Sequence, residues 1–303
     1  MFVAGHRGMV GSALVRRLQA LGHRDILTRT RAELDLLDAR AVGAFLAEQR
    51  PDYVFIAAAR VGGIQANNTL RADFLYENLQ IALNLIDSAH RAGVQRLMYF
   101  ASNCIYPREC PQPMHEDRLL TGPLEPTNEP YAIAKIAGLK LCESYNRQHA
   151  RQYIAVMPAS LYGPNDNYEP GSSHVLPALL RRAHEARLRG DAELTVWGSG
   201  TPRREFLYID DLAEACVMLA ESGYDGPPIN IGCGTDLSIR ELAETVVDVT
   251  GFRGRLIFDA RQPDGIARKL LDSSRIGALG WRPTVALAEG IRRAYAVAPF
   301  VDR

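Results

Sequence analysis

The first eleven residues restrict the fold more than any other stretch of the chain. Phe2-Val3-Ala4 reads as the end of a buried strand, Gly5, Gly8 and Gly11 follow at three-residue spacing, and Val10, Leu14, Leu18 and Leu21 then repeat with helical periodicity. A strand that turns through glycines into a helix lets the backbone approach an anion closely. It also aims the unpaired N–H groups of the helix N-terminus at that charge. This is the opening of a dinucleotide-binding unit. The spacing is Gly-x-x-Gly-x-x-Gly rather than the commoner Gly-x-Gly-x-x-Gly, and the strand is short on its N-terminal side.

The rest of the first half keeps the same rhythm. Strands are expected at Asp25-Ile26-Leu27-Thr28, Tyr53-Val54-Phe55-Ile56, Arg96-Leu97-Met98-Tyr99-Phe100 and from Tyr153 to Met157. Between them, 60–70 reads as a loop and 72–92 as a long helix. A proline-rich connection covers 107–130, and a helix begins at Tyr131 and runs through Leu139, Leu141 and Cys142. The alternation predicts an α/β fold, a Rossmann-type doubly wound parallel sheet over 1–157.

From Pro158 onward, Pro158, Gly163, Pro164, Pro170 and Gly171 break the rhythm. Helices are expected from His174 to Arg187, from Ser238 to Thr250 and from Ala286 to Ala296. Strands are expected at Thr195-Val196-Trp197, Arg203 to Ile209, Ile229-Asn230-Ile231 and Leu256-Ile257-Phe258, with Asp210-Asp211 capping the helix after the second of these. This predicts a smaller C-terminal α/β substrate domain over 158–303, with a segment of about 205–232 returning to the first domain.

Charge excludes some roles. Lys+Arg and Asp+Glu both number 35 among 303 residues, so no global field draws the chain to nucleic acid or to a membrane surface. No apolar run reaches membrane-spanning length, and no secretory leader is read at the start. Five scattered cysteines without a Cys-x-x-Cys pair point to reduced thiols in the cytoplasm, with no metal site.

Three places carry chemistry. About twenty residues beyond the glycine turn, where an acid would take a ribose hydroxyl, stands Arg31 with Arg29 close by. A guanidinium suits a 2′-phosphate, so NADP(H) is expected over NAD. Ser102 and Cys104 follow the Arg96–Phe100 strand, where a parallel sheet gathers its reactants, although such residues are commonly a turn former and an apolar filler. Tyr131 and Lys135 lie four residues apart on one helix face, so the lysine is expected to lower the phenol from its usual value of roughly 10.

Ser102, Tyr131 and Lys135 behind the glycine turn resemble the extended short-chain dehydrogenase/reductase family. The similarity extends to Gly5-His6-Arg7-Gly8-Met9-Val10-Gly11, Val61-Gly62-Gly63-Ile64, Cys104-Ile105-Tyr106-Pro107 and Glu125 through Lys135. It also takes in Ser173-His174-Val175, Trp197-Gly198-Ser199-Gly200 and Pro263-Asp264-Gly265. It is to the branch of that family acting on GDP-bound keto sugars, and Asn103 departs from it where serine is expected.

The resemblance implies a two-stage reaction on GDP-4-keto-6-deoxy-D-mannose: inversion at carbons 3 and 5, then NADPH-dependent reduction at carbon 4. It implies Tyr131 as proton donor with Ser102, Lys135 on the nicotinamide ribose, and Cys104 and His174 as the base and acid of epimerisation. It further implies cofactor contacts from Gly5 through Gly11, Arg31, Phe100, Ala101, Ser102, Asn103, Lys135, Pro158, Ala159, Ser160, Leu161 and His174. Substrate contacts are implied for Arg182, Trp197, Arg204 and Asp264, and a homodimer for the assembly.

Two rival readings share the same scaffold. A dehydratase commonly carries a carboxylate where Asn103 and Cys104 stand, and an NAD-recycling 4-epimerase an acid where Arg31 stands. A non-catalytic NADPH-binding regulator commonly loses the tyrosine or lysine, and this chain keeps both.

Overall fold

The computed structural model describes residues 1–262 and 264–301. The first half runs β1 (Phe2–Ala4), α1 (Met9–Ala20), α2 (Ala39–Gln49), β2 (Tyr53–Ile56), α3 (Ile64–Thr69), α4 (Arg71–Arg91), β3 (Arg96–Phe100), α5 (Glu129–His149) and β4 (Gln152–Pro158). The second half continues with β5 (Ser160–Tyr162), α6 (Val175–Arg189), β6 (Glu193–Trp197), β7 (Arg203–Arg204), β8 (Phe206–Tyr208), α7 (Ile209–Glu221) and β9 (Ile229–Ile231). It ends with β10 (Leu237–Ser238), α8 (Ile239–Thr250), β11 (Arg255–Asp259), β12 (Arg268–Lys269), α9 (Ser274–Ala278) and α10 (Leu287–Ala296).

Five strands form one parallel sheet in the order β1-β2-β3-β4-β9. Its strands are buried on both faces, which is why they read as unbroken apolar runs rather than alternating ones. Helices cover the sheet in two groups: α1 packs on α7, while α4 packs on α2 and α5. Together they enclose a core around Val3, Leu14, Val54, Phe55, Leu97, Met98, Val156 and Ile229. The carboxyl ends of β1 and β2 open at the point where the chain reverses its direction across the sheet, since Leu27 bridges the far side of β1 and β2 pairs with the near side. Ligands of doubly wound sheets sit at such a switch.

A second core gathers Leu176, Leu180, Val196, Phe206, Leu242, Val246 and Ile291 beneath α6, α8 and α10. Its strands are scraps: β11 beside β6, β5 beside β8, and a three-stranded patch in the order β10-β7-β12.

Four sequence expectations fail locally. The strand at Asp25–Thr28 shrinks to one bridge at Leu27, because polar Asp25 and Thr28 flank only two apolar residues at a sheet edge. Residues 64–69 are helical rather than loop. The strand expected over Arg203–Ile209 splits at buried Glu205 into β7 and β8, and Ile209 already belongs to α7. Asp210 and Asp211 lie inside the first turn of α7 and do not cap it; Asp211 turns away to accept the N–H groups of Thr284 and Val285. The α6 helix itself begins at Val175, with His174 as its N-cap residue.

Candidate active site

The glycine turn forms a cradle in which Gly5 and Gly11 leave no room for a side chain. Gly5 has φ +85°, and a Cβ there would lie 2.7 Å from the Ala58 nitrogen; a Cβ on Gly11 would lie 2.2 Å from the Gly5 carbonyl oxygen. Gly8 donates to that same oxygen at 3.0 Å and stands as N-cap of α1 with no side-chain cap. No acidic residue occupies the first turn of α1, so its N–H groups are left to an anion. The buried Nδ1 of His6 also has no protein partner. Arg7 stands exposed in the turn, and Met9 and Val10 open the helix. This cradle fits a dinucleotide diphosphate.

The two arginines after Leu27 divide their roles. Arg29 lies over the Phe45 ring, 5.0 Å from its centroid, and donates to the Thr28 carbonyl. Arg31 points outward, its side chain 75% exposed, with only Asp35 at 4.0 Å. It is the one of the pair free of packing duties.

At the end of β3, Phe100 and Ala101 are buried and Ala101 donates to Val156 on the neighbouring strand. Ser102 then caps the short turn Asn103–Ile105, its Oγ accepting from the Cys104 N–H at 3.2 Å. Pro158 ends β4, Ala159 donates to Ile231, and Ser160 and Leu161 start β5. The carboxyl ends of β3 and β4 thus line one edge.

Helix α5 brings Tyr131 and Lys135 to that edge. Lys135 is 3% exposed, donates to the Phe100 carbonyl at 2.8 Å, and lies between the Tyr99 ring at 5.0 Å and the Tyr131 ring at 5.7 Å. Its effect on the phenol is not the expected one. Burial pushes the Lys135 ammonium down to about 7, which weakens it as a fixed positive charge. Tyr131 is raised above its ordinary value, first by burial and then by neighbouring Cys104, with only the Ser102 hydroxyl opposing. The phenol therefore keeps its proton through neutral pH: a donor, not a ready base.

Cys104 sits beside this pair with its Sγ 3.3 Å from Asn128 Nδ2 and 3.7 Å from Lys269 Nζ. Lys269 also bears on His174, whose imidazole is held below the usual range by burial first and by that lysine second. His174 is exposed to water at the N-cap position of α6. The stretch before it is propped by the turn that precedes α3. Gly63 donates to the Ser172 carbonyl at 2.8 Å, and Asn67 Nδ2 ties down the carbonyls of Gly62 and Gly63.

Arg204 faces Lys269 across the β7–β12 pair and carries the charges of Cys104 and Asp264 nearby, while burial lowers its own pKa. Asp264 accepts from Ser199 N at 2.7 Å and Ser199 Oγ at 2.9 Å, fixing the turn after β6. Pro263 lies outside the described residues. Trp197, at the end of β6, is 60% exposed. Arg182 donates to the Thr195 carbonyl at 2.5 Å, on the same strand as Trp197. Ser102, Cys104, Tyr131, Lys135, Arg204 and Asp264 thus neighbour one another, and His174 joins them through Lys269; Arg182 on α6 reaches instead to β6, the strand that ends in Trp197, and Arg31 stands exposed beyond Leu27.

Sequence reasoning missed Asn128, Lys269 and Glu205. Glu205 is 1% exposed and accepts the N–H groups of Gly234 and Leu271, tying β8 to the chain after β9 and β12. Its place between two arginines and an apolar run was a legible sign of a buried carboxylate. Lys269 had no local signal. Among the described residues no cluster of three or more His, Cys, Asp or Glu side chains is arranged to hold a metal. No helix among them is long and apolar enough to cross a membrane.

Residues 1–232 match the NAD dependent epimerase/dehydratase family. The chain is 53% identical over 304 residues to the GDP-L-fucose synthase of Escherichia coli (strain K12), covering 97% of this chain and 95% of that one. Among solved structures, the GDP-mannoheptose C4 reductase from Campylobacter jejuni with NADP bound superposes with a TM-score of 0.90 at 38% identity, covering 98% and 96% of the two chains. The GDP-L-fucose synthetase from Naegleria fowleri bound to NADP gives 0.87 at 26% identity, covering 98% and 92%.

Proposed function

This chain belongs to the NAD dependent epimerase/dehydratase family, and from that premise we propose that it converts GDP-4-keto-6-deoxy-D-mannose to GDP-L-fucose with NADPH. The reading rests on one observation: Cys104 lies near enough to Tyr131 to raise its phenol, and Lys269 neighbours both the Cys104 sulfur and the His174 imidazole. The cofactor is NADP(H). When bound it supplies hydride to the carbon-4 ketone, and the cradle of Gly5, Gly8 and Gly11, Arg31 and Lys135 would hold it.

Carbons 3 and 5 flank the ketone, so each C–H bond is acidified by it. The Cys104 thiolate removes a proton: the S–H bond forms, the C–H bond breaks, and the electron pair moves onto the carbonyl oxygen. Tyr131, with its proton retained by burial, donates to that oxygen, and Ser102 steadies the phenol. His174, as the imidazolium, returns a proton to the opposite face of the carbon and is left as neutral imidazole while the electron pair comes back from the oxygen; its lowered pKa makes the imidazolium the stronger acid. Thiol and imidazole then exchange protons with water before the second inversion. In the last stage Tyr131 gives its proton to the carbon-4 oxygen as hydride arrives at the carbon. Arg204 and Arg182 serve the substrate diphosphate, with Trp197 and Asp264 as further contacts.

In this reading 1–157 and about 205–232 make the NADP-binding domain and the rest of 158–303 mainly the substrate domain. The protein is a cytoplasmic homodimer: Tyr76 and Leu83 on α4 and Ile133 on α5 are 63%, 45% and 43% exposed on two helices that pack together, which supports pairing through that face.

The test mixes purified protein with NADPH and the keto-sugar nucleotide. The expected result is stoichiometric NADPH oxidation with GDP-L-fucose identified by NMR. Binding without turnover would favour a regulator, and a product reduced at carbon 4 with carbons 3 and 5 unchanged would favour a simple ketoreductase.

A further inference from the structure

Three polar side chains from three elements surround the Cys104 sulfur. Asn128 Nδ2 donates to it at 3.3 Å from the start of α5, and Lys269 Nζ at 3.7 Å from β12; the Asn103 carboxamide oxygen accepts from it at 3.8 Å. An amide N–H and an ammonium can only donate, so both favour sulfur that has lost its proton. Asn103 alone favours sulfur that keeps it. The remaining charged or titratable groups facing this sulfur are Arg204 on β7 and Tyr131 on α5, with Asp264 beside Arg204 and His174 beyond Lys269.

Asn128 is placed for this at a local cost. It occupies the N-cap position of α5, yet its side chain makes no cap bond, and its carboxamide oxygen is buried without a partner. An N-cap asparagine ordinarily accepts from the helix it precedes. Here the amide is turned to the sulfur instead. Lys269 is fixed by the pairing of β12 with β7, where it lies directly opposite Arg204. The backbone carbonyl of Lys269 is held in turn by the Glu205 N–H at 3.2 Å.

We propose that Asn128 and Lys269 are positioning residues that aim the Cys104 sulfur at the carbons beside the ketone and stabilise the negative charge it carries when it acts as a base. The inference rests on the reading of Cys104 as the epimerisation base. When the sulfur has taken a proton from carbon, the new S–H turns to Asn103 until water removes it, which resets the base for the second inversion.

The test reads the sulfur directly. Iodoacetamide alkylation of Cys104 is followed at neutral pH by peptide mass spectrometry, with no sugar nucleotide present and with Cys104→Ser as the blank. Lys269→Met and Asn128→Ala are each expected to slow alkylation by about tenfold, the scale of a lost hydrogen bond to a charged group. Asn128→Asp should slow it further, because a carboxylate accepts where the amide donated and repels the thiolate. Lys269→Arg should restore most of the rate, which a merely structural loss would not allow. Exchange of deuterium from solvent into carbons 3 and 5 should fall in parallel, with NADPH binding unchanged.

Alkylation at the wild-type rate in Lys269→Met and Asn128→Ala would overturn the proposal. If the first of these then showed only a raised KM for the sugar nucleotide, the lysine would be a substrate contact and nothing more. Because alkylation is measured without sugar, it decides the matter even if the keto sugar proves not to be the substrate.

Discussion

The two halves of the molecule hold their shape by different means. The first is organised by backbone pairing: four buried parallel strands of its own, joined at one edge by β9 from later in the chain. The second has strands of two to five residues in three separate patches, and side-chain ties do the joining. Buried Glu205 takes the N–H groups of Gly234 and Leu271. Asp211 takes those of Thr284 and Val285, and Asp236 is gripped by Arg203 and Arg268. The first half therefore offers a rigid edge for a cofactor, and the second brings cations to that edge through polar contacts. The acid and base of the proposed epimerisation lie along the seam: Cys104 comes from the first half, His174 and Lys269 from the second.

Substitutions on either side of the seam sharpen this contrast. The largest effect is expected on the first side. Tyr131→Phe removes the proton donor and should lower NADPH oxidation by about a hundredfold or more, measured in steady state with NADPH binding retained. Next is Arg31→Ala. Losing one charge-assisted contact should reduce the preference for NADPH over NADH by about tenfold to a hundredfold in kcat/KM, with little change in stability.

On the second side, Glu205→Gln places an amide N–H against backbone donors. It should cost about 1–3 kcal/mol in denaturant unfolding and loosen the seam. An equal cost from a surface carboxylate such as Glu289, itself only paired with Arg292 and Arg293, would dissolve the distinction between buried ties and solvated pairs.

The smallest expected effect is a slope with pH. The folded protein holds Lys135 at about 7, whereas an unfolded chain titrates its lysines at about 10.4. Between those values the unfolded state binds more protons, so stability contributed at this site rises as the pH rises from about 7 toward 10. Lys135→Met should flatten that part of the pH–stability curve. An unchanged slope would mean that the ammonium is not desolvated in the folded state.

The same contrast governs what could be read from the chain. Periodicity and apolar runs placed β2, β3 and β9 and brought the other main-sheet strands and the long helices to within a few residues, because burial on both faces leaves a strong local signal. The helix at Ala39–Gln49 was legible and passed over: Asp38 caps it, and Val42, Phe45 and Leu46 share its buried face. The strand scraps of the second half were harder, since a two-residue strand such as β12 has no period of its own and exists through β7, some sixty-five residues away by sequence. Tyr131, Lys135, Ser102 and Cys104 could be suspected from their places after strands and on a helix face. The direction of the Tyr131 shift could not. It depends first on how completely Tyr131 itself is buried, and burial is a property of the packed molecule.

The central claim is that one phenol polarises one carbonyl twice, for proton loss and then for hydride addition. The direct measurement compares wild type with Tyr131→Phe, each saturated with NADP+ so that reduction cannot occur, and follows deuterium from solvent into carbons 3 and 5 of the keto-sugar nucleotide by NMR. The account predicts that the substitution slows exchange as well as NADPH oxidation. Exchange at the wild-type rate in a variant that no longer oxidises NADPH would show that another group stabilises the enolate, and would contradict it.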